Sequence, residues 1–235
     1  MYKYSDRVSY SEVDSNLNLT YFALVNYMQD CSCFHSDDVG VGVNYLATID
    51  RGWFVTSYEI HINRLPKYLE KITVATYPYQ VRGMMARRIY TICDEAGEVL
   101  VYADSLWVLM DIKNLKPARI NDKIAAAYPE DADRPQFDFK RPKLHYNEAG
   151  QKVGTFVVTE SHIDTNGHMN NSFYIDVTRR FLPEEGFSGI DISYKKAALL
   201  FDELDVYLVK LETGYQVVLN LTNCSDNLPQ ECSLN

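Results

Sequence analysis

The segment S-H-I-D-T-N-G-H-M, Ser161 to Met169, has a counterpart 150 residues earlier in S-E-V-D-S-N-L-N-L, Ser11 to Leu19. Ser, Asp and Asn are identical in the two copies, and Val/Ile, Ser/Thr and Leu/Met are conservative exchanges. A second echo follows each copy in the same order: Ser57-Tyr58 with Ile72-Thr73-Val74, then Ser193-Tyr194 with Leu204-Asp205-Val206. Two matches in one order imply an internal duplication. The period far exceeds that of a solenoid repeat, so the expected product is two similar domains.

Downstream of each copy the apolar residues take helical spacing. Tyr21, Phe22, Leu24, Val25 and Met28 mark the first helix; Met169, Phe173, Val177 and Phe181 mark the second at i, i+4, with Pro183 expected to end it. β-rich runs follow, from Trp53 to Ile62, Lys71 to Tyr79, Met84 to Cys93 and Val99 to Met110, and later from Ile190 to Lys196, Leu204 to Leu211 and Tyr215 to Leu221. Turn residues separate them at Asp94-Glu95-Ala96-Gly97 and Glu212-Thr213-Gly214. The fold class is therefore α+β, each half a helix followed by an antiparallel meander that buries one face on it. A final strand after Pro229 is expected to be short. Pro117, Pro129, Pro135 and Pro142 fall in a charged stretch with little alternation, which marks residues 116–150 as a linker between domains 1–115 and 151–235.

The 235 residues are 46% hydrophobic and 23% charged, with a formal net charge of −9. This suits a globular chain with a sizeable core, and the acidic balance argues against nucleic acid, whose phosphates need a surplus of Lys and Arg. Cys31, Cys33, Cys93, Cys224 and Cys232 are odd in number and form no C-x-x-C pair, so they read as free thiols in a reducing compartment. No apolar stretch is long enough for a membrane span and the first residues contain no apolar signal core, so a cytoplasmic location is expected.

The densest polar cluster is Asp164-Thr165-Asn166-Gly167-His168-Met169-Asn170-Asn171, where a strand hands over to a helix. An Asp can act as a base or orient a water, a His can exchange protons near neutral pH, and an Asn can hydrogen-bond without adding charge. The helix N-terminus beside them favours developing negative charge on an ester or thioester carbonyl. The plain alternative is a helix cap, for which Asp, Thr and Asn are preferred. The duplication weighs on the functional side. The first copy keeps Asp14 and Asn16 but has Asn18 where the second has His168, a difference that a purely structural turn does not need.

Other chemistries fall away. An EF-hand loop starting at Asp164 would need Gly at position six and Glu at twelve, where Met169 and Ile175 stand. Cys31-x-Cys33-x-His35 lacks a second ligand pair for zinc. Neither a Gly-rich phosphate loop nor a G-x-S-x-G elbow is present. Basic pairs at Arg87-Arg88, Lys140-Arg141-Pro142-Lys143, Arg179-Arg180 and Lys195-Lys196 read individually as solvated faces, though a grouped patch beside a cleft would suit an acidic partner.

The run D-T-N-G-H-M-N-N-S-F-Y-I, Asp164 to Ile175, resembles the active-site signature of the acyl-acyl carrier protein (acyl-ACP) thioesterases, in which Asp-x-Asn-x-His-(Val or Met)-Asn-Asn precedes the helix of a hot-dog domain. The opening Y-S-E-V-D-S-N-L-N-L and the strand containing W-V-L-M-D resemble that family's first hot-dog domain, so the likeness spans nearly the whole chain. It implies two tandem hot-dog domains, a carrier-bound acyl substrate, no metal or organic cofactor, and Asp164, Asn166 and His168 as the catalytic network. There is one departure. The family usually has a Glu three residues after the aromatic residue of the next strand, and in I-S-Y-K-K-A-A-L-L-F-D-E-L that position is Ala197. Hydrolysis of acyl-ACP to free fatty acid is thus the leading expectation. An acyl-CoA thioesterase is the alternative in the same class, and a non-catalytic acyl- or carrier-binding protein the alternative in another; a hot-dog dehydratase orders its Asp and His differently. A homodimer is left open.

Overall fold

Backbone preference, capping and alternation build the same plan twice in the computed structural model, which describes residues 1–144, 150–182, 186–222 and, for the backbone, 230–234. The chain divides into two units, Met1–Lys140 and Arg141–Asn235.

In the first unit β1 (Tyr2–Arg7) leads to α1 (Tyr21–Asp38) and the short α2 (Val43–Thr48). The strands β2 (Arg51–Ile62), β3 (Lys71–Arg82), β4 (Met85–Cys93) and β5 (Val99–Asp111) follow, then β6 (Lys116–Pro117) and α3 (Asp122–Ala127). The sheet is antiparallel in the order β1-β3-β4-β5-β2, with β6 added to β5. Thr20 opens α1 by accepting the Ala23 N–H at 3.2 Å, relieving one of the orphan donors at the helix start. Leu24, Val25, Met28 and Cys31 are fully buried, while Phe22, expected on the same face, is half-buried. The turn at Asp94 closes as expected: its carboxylate accepts the N–H groups of Ala96 and Glu98, and Gly97 takes a positive φ of 82°.

The second unit runs β7 (Gln151–Val157), α4 (Asn171–Arg180), β8 (Gly189–Ser193), β9 (Glu203–Lys210), β10 (Tyr215–Leu221) and β11 (Gln230–Leu234). Its antiparallel order, β8-β11-β10-β9-β7, reproduces that of the first unit strand for strand. Met169, Tyr174, Val177, Leu204, Val206, Val217 and Leu219 form its core, with Phe173 and Phe181 packed against it. Pro183 lies outside the described residues; Phe181 caps α4. The last strand has five residues, against thirteen in β5.

The edge strands β1 and β7 carry mostly exposed side chains, so their alternation is too weak to read in sequence. The expected linker needs correction. Residues 116–140 belong to the first unit, where Asn121 caps α3 and Ile124 is buried with Val41, Leu46, Leu109 and Tyr128. Phe137 stacks on Tyr102 with ring centroids 4.2 Å apart, and Phe139 packs with Tyr79 and Ile89. Its apolar residues dock singly, at irregular spacing, and leave no period. Residues 145–149 of that stretch lie outside the described residues. No described helix is long and apolar enough to cross a membrane.

Between α1 and its sheet lies a polar layer. Ser32 and Tyr90 share a hydrogen bond of 2.7 Å, the Trp107 Nε1–H donates to Ser105 Oγ at 2.7 Å, and the Tyr128 hydroxyl donates to Ser36 at 2.8 Å. Arg88, only 6% exposed, donates to His35 Nδ1 at 3.1 Å and to Ser36 Oγ at 3.4 Å, with its guanidinium 4.9 Å from the Tyr128 ring centroid. Mutual hydrogen bonding is what makes burial of so many polar groups tolerable. Cys31 and His35, one turn apart, share this buried face, whereas Cys33 is half-buried. Burial, then the neighbouring Arg88 and the chain's amino terminus, lower the His35 pKa from 6.5 to about 4. The folded state thus holds His35 neutral. Its contribution is complete above the unfolded value of 6.5 and is lost progressively as pH falls from there to about 4, the window in which the unfolded chain binds the proton more readily. Urea midpoints followed from pH 7 to pH 4 should drop, and His35→Gln, which keeps an acceptor for Arg88 but does not titrate, should drop less steeply.

Candidate functional site

Past β7 the chain makes one 3-10 turn, Glu160–His162, and enters the loop that carries Asp164, Asn166 and His168. Asp164 Oδ1 accepts the backbone N–H of Asn166 at 2.8 Å and of His168 at 3.2 Å, and Oδ2 lies 3.4 Å from Asn166 Nδ2. Asp164 N–H donates to the His168 carbonyl at 2.8 Å, and Gly167 N–H to the Asp164 carbonyl at 3.0 Å. Gly167 sits at φ +77°, a region that costs other residues strain. One carboxylate therefore sets the backbone at both Asn166, which is exposed, and His168, which is half-buried.

Below the loop the start of α4 is closed. Asn170 Oδ1 accepts the Ser172 N–H at 3.0 Å, and Asn170 N–H donates to the His162 carbonyl at 2.9 Å. These two N–H groups are committed within the protein, and the helix dipole adds partial positive charge at this end. The loop is pinned to its surroundings through Met169, whose N–H donates to the Ala198 carbonyl at 2.8 Å. Ala198 N–H in turn donates to the Tyr174 hydroxyl at 2.9 Å, and Tyr194 donates through its hydroxyl to the Asn171 carbonyl at 3.0 Å. Ala197 is exposed in that same β8–β9 connection, next to the residue that meets the loop.

The first copy has the same geometry. Asp14 Oδ1 accepts from Asn16 and Asn18 at 2.8 and 2.9 Å, Asp14 N–H donates to the Asn18 carbonyl at 2.8 Å, and Leu17 stands at φ +62°. Leu19 N–H donates to the Pro66 carbonyl at 2.8 Å, as Met169 does to Ala198. The turn is thus a structural device that both units use, and the two copies differ in having Asn18 in the first and His168 in the second.

One residue of the site escaped the sequence reading. His162 closes a capping box with Thr159, its Nδ1 accepting the Thr159 N–H at 2.9 Å, and its ring packs with Phe156 and Phe173 at centroid distances of 5.0 and 4.8 Å. Burial, and then Arg180, lower its pKa and keep Nδ1 an acceptor. In the first unit Glu12 performs this task, with Oε2 2.6 Å from Ser9 N. The S-Y-S-E box of residues 9–12 was the available signal, since the duplication aligns Glu12 with His162. Among the described residues no three His, Cys, Asp or Glu side chains form a group that would hold a metal ion.

The repeated arrangement, an antiparallel sheet packed on a helix whose entry loop carries the polar cluster, is a tandem hot-dog fold. Family models for the acyl-ACP thioesterase N-terminal domain and C-terminal domain match residues 1–128 and 146–232, and the chain belongs to that family. It is 26% identical over 241 residues to oleoyl-acyl carrier protein thioesterase 2, chloroplastic, of Arabidopsis thaliana, covering 90% of this chain and 63% of that protein. It is 25% identical over 191 residues to the acyl-[acyl-carrier-protein] hydrolase FATB2, chloroplastic, of Cuphea viscosissima, covering 74% of this chain and 45% of that one. The chain thus spans about half to two thirds of the length of these curated relatives. Among solved structures, an acyl-ACP thioesterase from Bacteroides thetaiotaomicron matches with a TM-score of 0.86 and 24% identity over 99% of this chain and 96% of that one.

Because each Asp carboxylate satisfies two backbone donors, Asp14→Ala and Asp164→Ala should each lower stability by about 1–3 kcal/mol, read from denaturant midpoints at constant m-value.

Proposed function

We propose that this chain hydrolyses the thioester of a fatty acyl chain carried on acyl carrier protein, releasing the free fatty acid and the carrier thiol. The observation that carries the reading is the single exchange within a duplicated turn: the hydrogen-bonded frame is common to both units, and the second adds an imidazole at position 168 beside an exposed Asn166 amide. Membership of the thioesterase family and the names of the relatives support the substrate class.

In this reading His168 takes a proton from a water whose oxygen attacks the thioester carbonyl carbon. Asn166 hydrogen-bonds the water or the carbonyl oxygen without adding charge. The tetrahedral intermediate collapses by breaking the C–S bond, and the departing sulfur receives the proton from the imidazolium. Asp164 acts as a positioning residue, since its oxygens are directed at the turn's own N–H groups. No metal or organic cofactor enters. Free thiols at Cys31, Cys33 and Cys93 suit a reducing, cytoplasm-like compartment.

Ala197 favours a second reading, in which the protein binds acylated carrier without turning it over, because the family's usual carboxylate is missing there. Thiol release from acyl-ACP separates the two. His168→Ala should cut kcat by at least about 100-fold with the fold intact, and Asn18→Ala should leave it within about twofold. Ala197→Glu, which supplies a carboxylate beside the turn, should raise kcat. A wild-type protein that binds acyl-ACP and releases no thiol would establish the binding reading instead.

A further inference from the structure

The β8–β9 connection, residues 194–202, touches the catalytic turn directly through the Met169–Ala198 hydrogen bond, and its outer side is unusual. Leu199, Leu200 and Phe201 are 50, 38 and 71% exposed, and Lys195 and Lys196 are exposed beside them. Phe201 also stands at φ +68°, a strained region for a bulky side chain.

The duplication supplies an internal control. In the first unit, Leu69 N–H donates to the Val8 carbonyl and Lys67 N–H to Glu70 Oε2, at 3.0 and 2.8 Å. In the second, Phe201 N–H donates to the Val158 carbonyl and Leu199 N–H to Asp202 Oδ2 at the same two distances. Leu69 has the φ of Phe201, +67°. The backbone design is therefore shared, and it does not require the second unit's side chains. Where the first loop reads Lys67-Tyr68-Leu69, the second reads Leu199-Leu200-Phe201. Tyr68 packs edge-on against Tyr10 with centroids 5.8 Å apart, but Glu160 occupies the place of Tyr10 in the second unit. The copy next to His168 has Leu199 and Leu200 where the first has Lys67 and Tyr68, and so presents an apolar crest beside two exposed lysines.

Several other basic residues are held within their own units. Arg88 is buried, Arg87 is paired with Asp104, and Arg180 with Asp176. In a chain of net charge −9 an acidic partner is repelled at long range, so its approach needs a local cationic point.

Building on the acyl-carrier reading above, we propose that Lys195, Lys196, Leu199, Leu200 and Phe201 form the surface on which acyl carrier protein docks. The apolar crest receives the carrier's helix next to its acylated arm, and the lysines meet that helix's carboxylates. Exposed apolar side chains of this size beside a reacting turn are what a small, transient interface requires at its centre, with charge at its rim.

The test compares two substrates bearing the same acyl group, acyl-ACP and acyl-pantetheine, and two variants, K195E/K196E and L199S/F201S, each checked for an unchanged thermal midpoint. Each variant should raise KM for acyl-ACP by about tenfold or more at unchanged kcat, more strongly at low salt for the lysine pair, while kcat/KM for acyl-pantetheine stays within about twofold. Titration of acyl-ACP into an H168A background should show the same loss of affinity. Variants that turn over and bind acyl-ACP like the wild type would overturn the docking surface and leave the thioesterase reading standing. Binding that depends on these residues in a protein without turnover would retain the surface and overturn hydrolysis. A wild-type protein that neither binds nor hydrolyses acyl-ACP would overturn both.

Discussion

Each unit depends on one carboxylate oxygen that accepts two backbone N–H groups, two and four residues further along the chain. The donors and the acceptor are close in sequence, so the turn closes at small entropic cost, and once closed it delivers the chain to the N-cap of the long helix. The helix start then lies over the sheet, and the next backbone N–H reaches across to the connection that follows the first meander strand. In the first unit that link ends on Pro66, in the second on Ala198. Loss of the carboxylate would leave two donors without their acceptor and the helix without a defined entry angle.

A device this local can be copied whole while the side chains it displays change. The two turns share hydrogen bonds to within a few tenths of an ångström, yet only the second presents an imidazole. The carboxylate's task in holding the backbone is why an Asp stands in both halves. The capping box makes the same point in reverse. Glu12 and His162 hold the same backbone N–H with different chemistry, and the imidazole can do so only while it is neutral.

Much of this was legible in the residues. The Asp-x-Asn repeat, the helical spacing after it and the alternating runs from Trp53, Lys71, Val99, Leu204 and Tyr215 correspond to observed elements, because each pattern is a local consequence of which face meets the core. The strands β1 and β7 were not legible, since an edge strand with one shallowly covered face has little alternation to display. Residues 116–140 suggested a linker because Ile124, Phe137 and Phe139 dock one at a time rather than along a period. Of the candidate site, the three polar residues were readable from the motif, but the commitment of Asp164 to the turn and the part of His162 in closing it were not. Both depend on where backbone N–H groups point.

By itself the sequence determined the duplication, the α+β class and the residue types available for chemistry, since these rest on composition, spacing and short-range hydrogen bonding. The tertiary structure alone decided what distant segments do to one another. It seated Arg88 on His35 across 53 positions, buried a layer of hydroxyls under α1, and joined the connection that carries Leu199-Leu200-Phe201 to the turn that holds His168 through the Ala198 carbonyl. Such contacts have no sequence period, because the energy that makes them comes from groups brought together only when the sheet has formed.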